Sequence, residues 1–257
     1  MPASEIRKEA REALKGNWGK GACIILAYLA FCFVLGLIEE LFQANSFIYL
    51  LIEIAVLVMS APLSFGLIIA FMKLKRGEEI SAFGFLKEGF SRFKKSWGIY
   101  LQILKKLLLP MLCLIVLIIL IAAMISYSTV SALTDNSMSN SGSLALALVF
   151  TVVYIACLVY IIARSLLYVL AYNIGYDNPE LSSKDCVLKS EELMKGNRGN
   201  YFILDLSFIG WALLACLTFG IGMLWLLPYM QVSMVCFYER LAKPEVKEVD
   251  GEVKIEE

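Results

Sequence analysis

Composition sets the first limits on this chain. Of its 257 residues, 60% are hydrophobic, and the mean hydropathy is +0.74, whereas soluble domains contain roughly 45–50% apolar residues. An ordinary soluble fold is therefore excluded, and an integral membrane protein is predicted. The net charge is zero and there is no histidine, which excludes Ser-His and His-metal active sites.

Three pairs of long apolar segments follow one another along the chain. They cover residues 21–41 and 47–72, then 107–130 and 144–172, and finally the uncharged run 206–238, which contains a glycine-rich turn at 218–222. A helix of about 20 apolar residues crosses a bilayer, so the sequence predicts six transmembrane helices in three hairpins. The last two helices are predicted to be short, about 17 residues each or ~26 Å.

A charged segment of helical length precedes each pair, at residues 4–15, 82–97 and 182–195. In the middle segment, apolar side chains recur at steps of three and four, which is typical of an amphipathic helix lying on the membrane surface. A groove for a partner helix would use the same residues. This predicted anchor consists of Phe83, Leu86, Phe90, Phe93 and Trp97.

Matching residues recur at constant spacing and predict an internal repeat. Residues 15–17 and 195–197 both read Lys-Gly-Asn, at an offset of 180, and Ser81 and Ser182 are 101 apart. We predict three parallel units, 1–80, 81–181 and 182–245, in a single membrane domain of residues 1–245. The alternative is that basic amphipathic helices before spans resemble one another by composition alone. The remaining residues, 246–257, are predicted to be disordered.

The basic residues predict the orientation. Twenty-two of the 23 Lys and Arg residues fall outside the apolar spans, on one side, and Lys and Arg resist translocation. Both termini and the large loops are therefore expected in the cytoplasm. The basic rim is expected to attract anionic lipid head groups, at roughly 1 kcal/mol per charge. Nucleic acid is not an expected partner, since no basic segment stands apart from the membrane surface.

A few ionisable residues inside the spans are the candidates for function. Arg164 and Asp205 lie at similar depths below the cytoplasmic face, so they are predicted either to form a buried ion pair or to contact a ligand. Glu53 has no basic partner on its side of the membrane. Pro62 and Pro228 fall inside even-numbered spans and are predicted to kink them, freeing a carbonyl in each.

Four stretches of the chain resemble a known bacterial family. They are residues 11–20 (REALKGNWGK), 193–197 (LMKGN), 205–211 (DLSFIGW) and 217–229 (LTFGIGMLWLLPY). They are similar to the hallmark stretches of the domain of unknown function numbered 975. The resemblance implies a multi-pass protein of the bacterial cytoplasmic membrane, and it carries over no activity, cofactor or functional residue.

Two functional hypotheses remain open. In the first, a hydrophobic or amphipathic small molecule, lipid or peptide binds in, or moves through, the seam between the hairpins. In the second, the protein is a scaffold or accessory subunit that docks a membrane protein partner through its cytoplasmic helices. An enzyme ranks behind both, because the chain lacks histidine and paired carboxylates at one depth. We expect a non-enzymatic protein without a cofactor or a metal.

Overall fold

The computed structural model of the chain describes residues 2–133, 140–242, 247–249 and 252–254, and the side chains of residues 2–130 and 145–242. A 3-10 turn, Leu166–Tyr168, lies between the sixth and seventh helices. The α-helices are, in chain order, α1 (Ala3–Leu14), α2 (Trp18–Leu41), α3 (Ser46–Lys75), α4 (Gly84–Ser91), α5 (Phe93–Leu133), α6 (Asn140–Ser165), α7 (Ala171–Asp177), α8 (Ser183–Met194), α9 (Arg198–Leu206), α10 (Ile209–Leu217) and α11 (Met223–Ala242).

Two three-residue strands follow the helices. β1 (Lys247–Val249) and β2 (Glu252–Lys254) pair antiparallel. The proposed division into units and the disorder expected of the tail stay predictions.

Five helical segments of the described chain are long and apolar enough to cross a membrane. They are Trp18–Leu41, Ser46–Lys75, Phe93–Val130, Ala145–Asp177 and Arg198–Leu217. The fold is therefore helical with several membrane-compatible helices, as the composition predicts. The chain also turns back at residues 218–222, between α10 and α11, where the glycine-rich stretch predicts a turn.

The buried side chains concentrate at one end of the long helices. In the most apolar part of α3 half of the residues are buried, whereas none is buried in the corresponding parts of Phe93–Val130 and Ala145–Asp177. α5 and α6, which pack together, therefore project away from the rest of the molecule with their apolar surface uncovered. We call the packed end the core layer; it consists of α1, α4, α7, α8 and the adjoining ends of α3, α5 and α11.

The three short helices of the core layer pack in the same manner. α1 packs on α11, α4 on α3, and α8 on α5, α7 and the 3-10 turn. The buried residues of each include two that are one turn apart, a larger one followed by a small one. These pairs are Ile6 and Ala10, Phe85 and Gly89, and Cys186 and Ser190. Phe85 and Cys186 are separated by the offset of 101 that the sequence repeat shows.

A close approach of two backbones fixes α4 on α3. A Cβ atom on Gly66 would collide with the Phe85 carbonyl, and one on Gly89 would collide with the Pro62 carbonyl. The corresponding contact of α8 is polar, since the buried Ser190 hydroxyl donates to the Leu167 carbonyl at 2.7 Å. A side chain at residue 89 would therefore collide with α3, and the small side chains of Ala10 and Ser190 are fully buried at the same position of α1 and α8.

The predicted middle helix is divided in the structure. α4 ends at Ser91, and α5 begins at Phe93 after a break at Arg92. The face that α4 buries carries Phe85 and Gly89 rather than the predicted stripe. The single amphipathic helix predicted over residues 82–97 is therefore two helices in the structure.

Candidate functional site

Seven charged side chains form a continuous network in the core layer: Glu5, Glu9, Lys75, Arg76, Asp177, Glu239 and Arg240. Arg76 donates to both Asp177 carboxylate oxygens, at 2.7 Å from Nη1 and 2.9 Å from Nη2, and its Nε donates to Glu239 at 2.9 Å. Lys75 joins Glu239 to Glu9, and Arg240 Nε donates to Glu9 at 2.9 Å. The network thereby connects α1, the end of α3, α7 and α11.

The network keeps its members charged. Two hydrogen bonds to Asp177 act against burial and raise the pKa of Arg76 above its ordinary value. Burial disfavours the charge on Glu9, but the hydrogen bonds from Arg240 and Lys75 outweigh it and lower the pKa of that carboxyl. Since both groups are ionised at neutral pH, the network stabilises the packing of four helices.

A second cluster surrounds Glu88 on α4. Its carboxylate accepts from Lys73 at 2.7 Å and from Arg92 at 2.8 Å. Burial opposes ionisation of Glu88, but these two bases outweigh it and lower its pKa. The guanidinium carbons of Arg92 and Arg76 lie 4.9 and 5.9 Å from the centroid of the Tyr176 ring. Tyr176 therefore connects the two clusters through cation–π contacts.

These clusters offer no evident reactive centre. Glu9, Glu88 and Glu239 are each held by basic side chains, which leaves no carboxylate among them poised as a general base. Among the described residues, no three acidic or cysteine side chains are placed to hold a metal ion. The described cysteines are all free thiols.

A pocket of about 470 Å³ lies beside α1, α10 and α11. Three of the four tryptophans of the chain line it, Trp18, Trp211 and Trp225, and Tyr229 packs between them and α1, with its ring 6.0 Å from that of Trp18. The Tyr229 hydroxyl donates to the Arg7 carbonyl at 3.2 Å. The walls of this pocket, which we call the tryptophan pocket, are thus aromatic and aliphatic.

Two arginines enter the tryptophan pocket from α1. Arg7 and Arg11 are one helical turn apart, so both project from the same face. Neither forms an ion pair with any described side chain, and Arg7 Nε is buried without a hydrogen-bond partner. The neighbouring Glu5 and Glu9 are instead engaged by Arg240. The pocket therefore combines an apolar wall with uncompensated positive charge.

The ionisable residues singled out in the spans are not brought together. No ion pair joins Arg164 to Asp205 among the described side chains. Arg164 instead interacts electrostatically with Glu191, whose carboxylate forms an ion pair with Lys106 Nζ at 2.7 Å. Asp205 is half-buried near Tyr201. A role for either residue in binding a ligand stays a prediction.

Glu53 is exposed, and the hydroxyl of Tyr49, one turn earlier in α3, donates to it at 2.6 Å. This is a local contact within one helix, and among the described side chains no basic group forms an ion pair with Glu53. Its functional role also stays a prediction.

Pro62 and Pro228 lie buried inside α3 and α11. A proline removes the hydrogen bond to the carbonyl four residues earlier, which for Pro62 is that of Val58. The Trp97 indole donates to this carbonyl at 2.9 Å. Trp97 therefore satisfies a backbone acceptor, in addition to any role it has as a surface anchor.

The other members of the predicted anchor are largely uncovered. Phe83, Phe90 and Phe93 are 58%, 41% and 37% exposed, while Leu86 is half-buried against the core. The structure therefore leaves three phenylalanines free to contact a membrane surface or a partner.

Sequence reasoning missed the tryptophan pocket. The available signals were the two arginines four residues apart and the clustering of Trp211 and Trp225 in the last apolar run. Neither identifies a pocket alone, because the pocket forms only where α1 meets α10 and α11, about 200 residues later in the chain.

Comparisons with known proteins place the chain in a family. Neither the curated proteins nor the solved structures contain a match. A protein-family model does match, over residues 1–245. This range is nearly the whole chain and includes the tryptophan pocket and both charged clusters. The chain therefore belongs to the family described as "Protein of unknown function (DUF975)".

Proposed function

We propose that this protein is a non-enzymatic membrane protein that binds an amphipathic molecule in the tryptophan pocket. The observation that supports this most is the pairing of aromatic walls with two unpaired arginines in one cavity of about 470 Å³. Ligand pockets commonly have mostly apolar linings with a few polar groups that orient the ligand. Tryptophan also favours the membrane interface, where amphipathic molecules concentrate.

The proposed location of the ligand differs from the sequence expectation. The sequence places it in a central seam between the three hairpins, whereas the tryptophan pocket lies at the side of the last hairpin. Where the helices meet around the charged network, the core is filled by side chains such as Phe71, Met72 and Tyr238. Binding at the side of the bundle gives a ligand access from the bilayer.

Mass spectrometry of the protein extracted in mild detergent tests this proposal. A bound amphiphile should be retained by the wild-type chain and lost when Trp211 and Trp225 are both changed to alanine. Phe219 and Ile221 provide a matched control, because they are exposed apolar residues of the same hairpin that do not line the pocket. Equal retention by both double variants would rule out the pocket as the binding site.

We also propose the orientation expected from the sequence, with the core layer and both termini in the cytoplasm of a bacterium and the hairpins in its membrane. The charged clusters lie at the end of the hairpins that carries the basic residues, in agreement with the positive-inside rule. Anionic lipid head groups are then the expected contacts of the basic rim.

The three-unit repeat is part of the same proposal. Its support is that each short helix packs on the last helix of another unit, with α1 of the first unit on α11 of the third. Gly16 and Gly196, which end α1 and α8, also share positive φ angles of 82° and 81°. Three such units would close into a ring.

Within this arrangement, we propose that the third hairpin turns back inside the membrane instead of crossing it. The part of α3 between its first residue, Ser46, and Pro62 is 16 residues long, whereas the part of α11 between Met223 and Pro228 is only five. At 1.5 Å per residue these lengths are about 24 Å and about 8 Å. The hydrocarbon core is about 30 Å thick. α9 and α10 are also separated by a break at Ser207–Phe208. This gives four full spans, fewer than the six predicted from the sequence and the five segments that length and composition allow.

Cysteine labelling in intact cells tests the topology, in a chain whose native cysteines have been replaced. Ser139→Cys should react with an impermeant reagent from outside and Lys247→Cys only from inside. Phe219→Cys, at the fully exposed tip of the third hairpin, should resist the reagent from outside. Labelling of residue 219 from outside would show that the last hairpin crosses.

A scaffold function is the second candidate. It is favoured by the three exposed phenylalanines Phe83, Phe90 and Phe93 beside basic residues of the core layer. A membrane protein partner that docks there should be crosslinked by a photoreactive residue at position 90. Purification of the natively expressed protein as a lone species would argue against this function.

A further inference from the structure

The charge of the tryptophan pocket defines the chemistry of its ligand. We propose that the pocket binds an anionic membrane lipid whose phosphate head group lies between Arg7 and Arg11. This inference rests on the proposed function, and it adds the chemical class of the ligand and the residues that recognise its head group.

The first support is the unmet hydrogen-bonding capacity of Arg7, beside the unpaired guanidinium of the exposed Arg11. A guanidinium is a planar donor that matches phosphate oxygens in pairs. Arg7 Nε is buried yet has no partner among the described atoms, and a buried donor left unpaired is costly. A phosphate oxygen in the pocket would satisfy this donor once the Arg7 side chain turns to expose it.

The second support is the division of the pocket into a charged and an apolar part. The arginines and Ser4 come from α1, whereas Trp211, Leu214 and Trp225 come from α10 and α11. Trp211 and Trp225 are 57% and 51% exposed, so the apolar part of the pocket is open to the surroundings of the helices. An acyl chain can follow these residues while its head group remains with the arginines at the interface.

The third support is the separation of local charges on α1. Its residues divide into a buried face with Ile6 and Ala10, an acidic face engaged with Arg240, and the arginine face. Because Glu5 and Glu9 are drawn to Arg240, they do not neutralise Arg7 and Arg11. The core-layer network thereby leaves the pocket positively charged.

Quenching of tryptophan fluorescence by lipids with brominated chains tests the proposal on the full chain in detergent. Brominated phosphatidylglycerol is compared with brominated phosphatidylcholine of the same chains, so that only the head-group charge differs. We expect the anionic lipid to bind about 10-fold more tightly, since each nearby basic residue contributes to the attraction. Arg7→Gln/Arg11→Gln should abolish this preference and leave quenching by phosphatidylcholine unchanged.

The matched control is Lys8→Gln/Lys15→Gln, which removes the same charge from exposed positions of the same segment that do not line the pocket. It should keep the 10-fold preference, and a loss there would show a general surface effect and overturn the proposal. Equal affinity of the wild-type chain for both lipids would overturn the head-group assignment alone. Absence of quenching by either lipid would overturn the proposed function as well.

Inorganic phosphate serves as a competitor that distinguishes the source of the anion. It should displace little of the brominated phosphatidylglycerol, because it lacks the chain that contacts the tryptophans. Complete displacement at millimolar phosphate would identify a free-phosphate site and overturn the lipid assignment. Should the arginine double variant fail to fold, the comparison of the two lipids on the wild-type chain still decides the proposal.

Discussion

The pair formed by Arg76 and Asp177 provides the most direct test of the core layer. Asp177→Asn nearly preserves the shape of the side chain but removes the charge that accepts two hydrogen bonds from Arg76 and one from Tyr238 at 3.0 Å. The two side chains are 24% and 18% exposed. Surface pairs contribute about 0–1 kcal/mol, whereas breaking a buried pair costs about 3–5 kcal/mol. For this intermediate exposure we expect a loss of about 2 kcal/mol in the free energy of unfolding.

Thermal unfolding in a mild detergent at a fixed scan rate measures this loss. A change of about 2 kcal/mol should lower the Tm by about 4–8 °C in a chain of this size. Arg76→Gln should cost a similar amount. The double variant should lose less than the sum of the two, because no unpaired charge then remains in the core layer.

The control for this pair is Glu180→Gln, which removes a negative charge from an exposed residue near the end of α7. It should change stability by less than about 0.5 kcal/mol. The reasoning would be refuted if Asp177→Asn behaved like this control. It would also be refuted if the losses of the two single variants added fully in the double variant.

Three further predictions concern pH, packing and a backbone acceptor. Folding lowers the pKa values of Glu9 and Glu88 from an ordinary 4.5. Their contribution to the free energy of unfolding should therefore be complete above pH 4.5 and lost as the pH falls through the pKa values of the folded state. Between pH 7 and pH 3, the Tm of Glu9→Gln/Glu88→Gln should change less than the Tm of the wild-type chain. Gly66→Ala should cost more than about 2 kcal/mol in the free energy of unfolding, because its Cβ would collide with the backbone of α4. Trp97→Phe should cost about 1 kcal/mol by leaving the carbonyl freed by the α3 proline unpaired.

The same unfolding measurements supply the controls. Gly36→Ala in α2 meets nothing within 4 Å and should be neutral or slightly stabilising, since alanine favours a helix. If it destabilised as much as Gly66→Ala, the close approach of α3 and α4 would not explain the effect. A Tm that fell with acid equally in the wild-type chain and the double glutamine variant would exclude the two carboxyls as its cause.

The sequence by itself determined the class of the protein and several local features. Composition predicted a membrane protein, since its apolar fraction exceeds that of soluble domains, and the apolar runs of about 20 residues predicted membrane-compatible helices. The turn at residues 218–222, between α10 and α11, was also predicted from its glycines. These features depend on contacts within a few residues, which the local sequence specifies.

The tertiary structure decided which distant residues meet. Matching the depths of Arg164 and Asp205 along their helices suggested a pair, but depth specifies neither the rotation of a helix nor its neighbours, and no ion pair joins them among the described side chains. Arg76 and Asp177, which the sequence analysis did not single out, form a bidentate pair instead. The tryptophan pocket likewise requires α1 to pack against α11. Contacts between helices far apart in the chain follow from the closure of the whole core layer, so local periodicity and composition do not contain them.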